Sequence, residues 1–311
     1  AEALGFKSAL QASHHIQPDG FCPSPMVAMA GAAAVTEEMR IGTSVLLVPL
    51  YAPLKLAEDV AVLDNLSNGR FVFGVAPGYV TEEFTAHGIP RNERGTRFEE
   101  ALDLMQLAWK GEPFSFEEQH YQVPEGLVTP TPMQTPHPPI WYGVSAKSAL
   151  RRAVKRRCVQ IMSPRHGLAE LKEHYAPYED EAAKAGWVPP ERPIIRQVFV
   201  AETTEKAEAI AAPAVDYLYR VLYGAASAAG DRVLKNDTGE VIADTDDVGY
   251  RTFKERYIIG DPDLAIRKIK EYERELRPTE MVCWMHMPGI RGSDVANSIE
   301  LFAKEVMPAF A

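Results

Sequence analysis

The chain has 311 residues, 46% of them apolar, enough to bury the core of one large α/β domain or of two smaller ones. Its formal charge of −10, with 33 Lys and Arg against 43 Asp and Glu, argues against a nucleic-acid backbone or an anionic membrane as the main partner, since both require clustered cations. Cys22, Cys158 and Cys283 are too widely spaced for a metal site or a disulfide framework and fit free thiols in a reducing cytoplasm, and no signal peptide or membrane span is visible.

The chain opens in mid-element. Residues 1–6 read as the last turn of a helix capped by Gly5, and residues 8–13 as the strand after it, followed at once by His14 and His15. A second strand, 40–48, is apolar almost throughout, as a parallel strand buried on both faces must be. The helix 53–66 then places Leu56, Val60, Leu63 and Asp64 on one face and Lys55, Glu58 and Asp59 toward water, until Ser67, Asn68 and Gly69 stop it. With the strand 70–76 and the turn Pro77, Gly78, Tyr79 these form a βαβ unit.

Arg91, Arg94 and Arg97, with Glu93, Glu99 and Glu100, form a charged lead into a helix 97–110, read as surface ion pairs of little individual worth. Proline-rich residues 115–139 predict an excursion with a short hairpin. Further strands are expected at 140–144, 159–162, 194–200 and 280–287, separated by helical patterns, which means a parallel sheet with helices outside. The basic cluster Arg151, Arg152, Lys155, Arg156 and Arg157 reads as the solvated face of a helix. Residues 215–256 mix a helix-like piece with a polar, acidic loop at 235–239. The helix 261–276 carries clear signals: Asp261 as N-cap, Pro262 at the first helical position, and Leu264, Ala265, Ile269, Tyr272 and Leu276 on one stripe. There is no internal repeat, Gly-rich dinucleotide fingerprint, Walker motif or nucleophile elbow.

Several of these segments carry a family resemblance. The run Arg40 to Thr43, Pro53 to Asp59 and Leu63 to Phe71, with His14–His15 upstream, resembles the bacterial luciferase-like flavin monooxygenases. Downstream, Glu82-Glu83-Phe84 with Gly88, the segments 94–100 and 137–141, and the end of the chain at 301–308 follow in the family's order. The resemblance implies a single domain over 1–311, a (β/α)8 TIM barrel of the luciferase-like type with insertions around 115–139 and 215–256. Seven of the eight barrel strands are counted above, and the first is expected to precede residue 1, so that the functional polypeptide is longer than the given chain.

In such a barrel chemistry sits at the carboxyl ends of the strands, which puts His14 under suspicion. Its counterpart in luciferase acts in acid/base chemistry near the flavin, although Ser13 stands here in place of the usual acidic residue and removes the expected charge partner of the imidazole. The segment Gly42 to Val45 matches the stretch that holds a non-proline cis peptide beneath the flavin, between Ser44 and Val45. Ala76 and Tyr79 follow as cofactor contacts at the next strand end. Pro77 replaces the arginine that commonly pairs with the flavin phosphate, which leaves Ser145, Lys147 and Ser148, at the opening of a helix, to hold that anion. Without the resemblance, Ser145 reads as a simple N-cap, and the histidine pair reads equally as an ordinary loop pair or as a functional one.

The implied activity is oxygenation of a small organic substrate by reduced FMN and molecular oxygen, with reduced flavin delivered by a separate reductase and a homodimeric assembly. Two alternatives stay open: hydride transfer by a deazaflavin on the same fold, and a non-catalytic subunit of the luciferase type. No metal is expected, and the sequence does not name the substrate.

Overall fold

The computed structural model describes residues 1–19, 21–143, 146–223, 242 and 248–310. It divides into two compact units, one of Lys7–Val144 with Glu2, the other of Ser145–Ala311 with Ala1 and Ala3–Phe6.

The first unit runs β1 (Ser8–Gln11), α1 (Pro25–Ala34), β2 (Arg40–Leu47), α2 (Pro53–Leu66), β3 (Phe71–Ala76), the short α3 (Thr81–Ala86) and α4 (Arg94–Ala108). The expected hairpin follows as antiparallel β4 (Phe114–Glu117) and β5 (Gln122–Gly126), and β6 (Ile140–Tyr142) completes the set. Strands β1, β2, β3 and β6 lie side by side in that order, all parallel. Helix α2 has its expected bounds, and it ends because Asn68 and Gly69 take positive φ (56° and 74°), which lets the Gly69 N–H return to the Asp64 carbonyl at 2.9 Å. Asp64 is fully buried because its carboxylate accepts hydrogen bonds from the Gln134 backbone N–H (2.9 Å) and side-chain amide (2.6 Å).

The charged lead into α4 is only partly a surface network. Arg97 pairs with Glu93 at 2.8 Å, but Glu99 accepts from the buried Tyr142 hydroxyl of β6 and Glu100 accepts the His120 N–H at 2.8 Å. The helix also begins at Arg94, three residues earlier than its polar sequence indicates.

The second unit runs α5 (Lys147–Lys155), β7 (Val159–Gln160), α6 (Leu168–Lys184), β8 (Pro193–Val200), α7 (Thr204–Leu218), β9 (Ile258–Gly260), α8 (Pro262–Leu276), β10 (Glu280–Trp284) and α9 (Gly292–Leu301). Strand β8 lies between β10 and β9, parallel to both. One face of β8, with Ile194, Val198 and Val200, packs on Leu171 and Tyr175 of α6 and Ala265 and Tyr272 of α8. Asp261 caps α8 by accepting the Leu264 N–H at 2.8 Å. Among the described residues the count of seven strands is one short: Ile258–Gly260, which the sequence reading leaves unassigned between 256 and 261, is a strand whose three residues are too few to show a periodicity. Residues 250–256 form a 3-10 segment, and the loop at 235–239 lies outside the described residues.

Strands β2 and β3 approach more closely than side chains would allow. A Cβ on Gly42 would stand 2.2 Å from the Val72 carbonyl oxygen, and one on Gly74 would stand 2.0 Å from that of Thr43. Both contacts are with backbone, so nothing can rotate away. Beside them the pairing register shifts between Thr43 and Leu46, the Ser44–Val45 peptide is cis, and the Thr43 hydroxyl donates to the Gly74 carbonyl at 2.7 Å. Gly74→Ala should therefore cost at least about 3 kcal/mol, the upper end of ordinary overpacking, in urea unfolding. The control Gly95→Ala, where a Cβ meets nothing within 4 Å, should be neutral or slightly stabilising. Equal stability of both variants would contradict this account.

Candidate functional site

The carboxyl ends of β1, β2 and β3 bring together Ser13, His14, Ser44 and Tyr79. The Ser13 N–H donates to the Val45 carbonyl at 3.3 Å, which ties the end of β1 to the middle of β2. His14 follows, and α3 meets it from the other side: His14 Nδ1 lies 2.9 Å from Glu83 Oε1, with side-chain exposures of 12% and 0%. The same oxygen accepts the His15 backbone N–H at 2.7 Å. This corrects the expectation that Ser13 leaves the imidazole without a charge partner. The carboxylate is supplied from another element, while Ser13 itself is buried and its hydroxyl faces the Val45 carbonyl at 3.4 Å.

Aromatic rings bracket His14. Phe21 stands edge-on at 5.0 Å between centroids and Tyr79 at 5.6 Å, with the Tyr79 hydroxyl 3.5 Å from His14 Nε2. Arg91 in turn donates to the Tyr79 carbonyl at 3.1 Å and fixes the turn after Pro77 and Gly78.

Beside this pair lies a shelf of small residues. Within β2 beyond Arg40, only Ser44 and Val45 are not buried, and in β3 only Ala76. A Cβ on Gly143, just past β6, would lie 3.3 Å from Ala76 Cβ and 3.7 Å from Val45 Cγ1, so three strand ends converge on one spot that the glycine leaves open. Ser44 Oγ is buried with no hydrogen-bond partner among the described residues. A flat, partly polar ring fits this chemistry: it would cover the apolar shelf and give the Ser44 hydroxyl the partner that a buried polar atom needs, at a cost of about 1–3 kcal/mol if unmet.

His15 points elsewhere. Its ring meets His87 at 4.9 Å and Tyr51 at 6.0 Å, and burial, reinforced by His87, holds its pKa below the usual imidazole range. Burial likewise pushes Tyr51 up to about 12. His14 and His15 thus serve different surroundings, as adjacent residues leaving a strand do.

The expected phosphate-binding residues are placed less fully. Lys147 is the first residue of α5, Ser148 is exposed on its first turn, and Ser145 lies outside the described residues. Ala146 caps the helix without a side-chain bond, so the reading of Ser145 as the N-cap is not followed.

The second unit holds a feature that sequence reasoning did not single out. Arg196 is fully buried on β8, donates to the carbonyls of Pro164 (3.0 Å) and His166 (2.7 Å), and lies 4.9 Å from the centre of the Tyr272 ring. Arg256 donates to the Arg165 carbonyl at 2.6 Å, and Glu170 accepts the Gly167 N–H at 2.9 Å. Four consecutive residues beyond β7 are held in this way. The available signal is Arg196 with Gln197, a charged and a polar residue inside the apolar run of strand 194–200.

The sequence profile of a family described as luciferase-like monooxygenase matches residues 1–277. The chain is 26% identical over 320 residues to the oxygenase component of the flavin-dependent trigonelline monooxygenase of Acinetobacter baylyi, spanning 100% of this chain and 87% of that protein. Among solved structures, the FMN complex of the oxygenating constituent of 3,6-diketocamphane monooxygenase from Pseudomonas putida matches with a TM-score of 0.79 at 24% identity, covering 99% of this chain and 90% of that one. A coenzyme F420-dependent tetrahydromethanopterin reductase from Methanopyrus kandleri matches with a TM-score of 0.73 at 19% identity, covering 100% and 93%. The fold is thus an α/β barrel of the luciferase-like type.

The depressed pKa of His15, shared by His137 through burial, has a consequence for stability. The unfolded chain takes up protons as pH falls below about 6.5, whereas the folded rings stay neutral to lower pH, so the unfolded state binds more protons in that window. Stability should then fall on acidification below about 6.5. In urea titrations the double variant His15→Gln, His137→Gln should show a flatter slope there, and an unchanged slope would contradict the assignment.

Proposed function

The chain belongs to the luciferase-like monooxygenase family, and we propose that it is the oxygenase of a two-component flavin monooxygenase, using reduced FMN and molecular oxygen to oxygenate a small organic substrate. The observation that carries this reading is His14, held by Glu83 at a strand's carboxyl end beside the shelf of Ser44, Val45, Ala76 and Gly143. Bound reduced FMN supplies the activation of oxygen, which the side chains of this protein cannot perform. Val45, Ala76 and Gly143 would bear the flat ring and the Ser44 hydroxyl would hydrogen-bond to it, while Phe21 and Tyr79 flank His14 and would keep water from it. His14 takes up and returns one proton.

Pro77 removes the usual cation from the phosphate site, and Lys147 and Ser148 in the first turn of α5, where free N–H groups favour a dianion, together with Ser145, which precedes it in sequence, are proposed to take its place. The naming of the Acinetobacter relative as an oxygenase component supports a separate reductase for this chain too. Three free cysteines support a cytoplasmic setting, and among the described residues no helix is long and apolar enough to cross a membrane. Hydride transfer by a deazaflavin is the second reading, favoured by the likeness of the fold to F420-dependent enzymes.

A second copy is the proposed partner of the α1–α2 face. Helix α1 has no charged residue and exposes Val27 (74%), with Val35 just beyond it (81%), while α2 exposes Val62 (51%) and Leu66 (53%). Sedimentation at micromolar concentration should show a dimer, and a monomer would contradict this.

The functional test supplies reduced FMN from a separate reductase under isotopically heavy oxygen, with trigonelline, bicyclic diketones and other small organic compounds as substrates. The expected result is one heavy oxygen atom in a product. His14→Ala should keep flavin binding and lose about 10²–10⁴ in that rate, while His15→Ala loses less. Equal, small losses from both would mark the pair as structural.

A further inference from the structure

We infer that Glu83 is a positioning residue that sets the tautomer of His14, so that the imidazole works through Nε2; this rests on the functional reading above. Glu83 Oε1 lies 2.7 Å from the His15 backbone nitrogen, which can only donate. That oxygen is therefore an acceptor, and the His14 Nδ1 found 2.9 Å from it must carry a proton. Neutral His14 then has its lone pair on Nε2, the nitrogen that faces the Tyr79 hydroxyl at 3.5 Å.

The arrangement is not a by-product of surface ion pairing. Glu83 is fully buried, comes from a six-residue helix, and reaches His14 across 69 positions of sequence. One oxygen takes both bonds, while Oε2 has no hydrogen-bond partner among the described residues. Burying a carboxylate for packing alone is costly, whereas holding two consecutive residues at a strand end with a single oxygen fixes both the course of the chain and the rotation of the ring. Without that acceptor the proton is free to sit on Nε2 instead, and the lone pair then lies on Nδ1, away from the Tyr79 hydroxyl.

The test reads the proton directly. Nitrogen NMR of the flavin-free protein, with neutral imidazoles, should show His14 protonated at Nδ1, and Glu83→Ala should shift it toward the Nε2-protonated form. In the oxygenation assay Glu83→Ala should lower turnover about 10–100-fold, as loss of a ligand-orienting partner does, with the affinity for reduced FMN unchanged. Glu83→Gln, which keeps an acceptor oxygen for the His15 N–H, should restore both the Nδ1-protonated signal and most of the turnover. A wild-type His14 protonated at Nε2 overturns the inference, and that spectrum decides the matter even if the alanine variant fails to fold. Absence of oxygenation by the wild-type protein would instead overturn the functional reading and leave the tautomer result standing.

Discussion

Glu83 accepts two hydrogen bonds on one oxygen, from the His15 N–H and from His14 Nδ1, and the proposed chemistry depends on that carboxylate lying where water does not reach it. In solvent such a pair is worth little, because screening and side-chain entropy absorb the gain. Once the carboxylate is fully buried, removing its partner leaves an uncompensated group at about 3–5 kcal/mol, so the pair is held in register by the fold rather than by its own attraction. That is what an acid/base group requires: a ring whose position does not relax when its proton leaves.

The register comes from the sheet. The paired glycines Gly42 and Gly74 let β2 and β3 come together at backbone distance, and the shift in pairing just beyond them turns Ser44 and Val45 out of the otherwise buried strand. The Val45 carbonyl then receives the Ser13 N–H, which brings His14 to the same end of the sheet as Ala76 and Tyr79. A constraint at the level of missing Cβ atoms thus determines which side chains meet a ligand. The same economy appears in the second unit, where two buried guanidinium groups are used on the carbonyls of one short loop.

Elements with a strong local pattern were legible in the sequence. Helix α2 has both of its predicted ends because proline and the Asn68–Gly69 pair punctuate it, and β2, β3 and β8 read as strands because parallel strands buried on both faces are apolar runs. The cis peptide at Ser44–Val45 follows the family resemblance and could not be read from propensity. Strand β9 was missed because three residues carry no period. Glu83 stands within the motif Glu82-Glu83-Phe84, yet its pairing with His14 is not legible there, since a contact across 69 positions leaves no mark in local composition. For the same reason Ser13 in place of an acid suggests an imidazole without a charge partner, while the structure supplies that partner from another element.

The proposed function requires that the protein take a reduced flavin rather than a deazaflavin. Parallel anaerobic titrations of the purified chain with oxidised FMN, reduced FMN and reduced coenzyme F420 test it most directly. The account predicts saturable binding of reduced FMN, weaker binding of oxidised FMN and no binding of F420. Saturable binding of F420 with none of reduced FMN would contradict it.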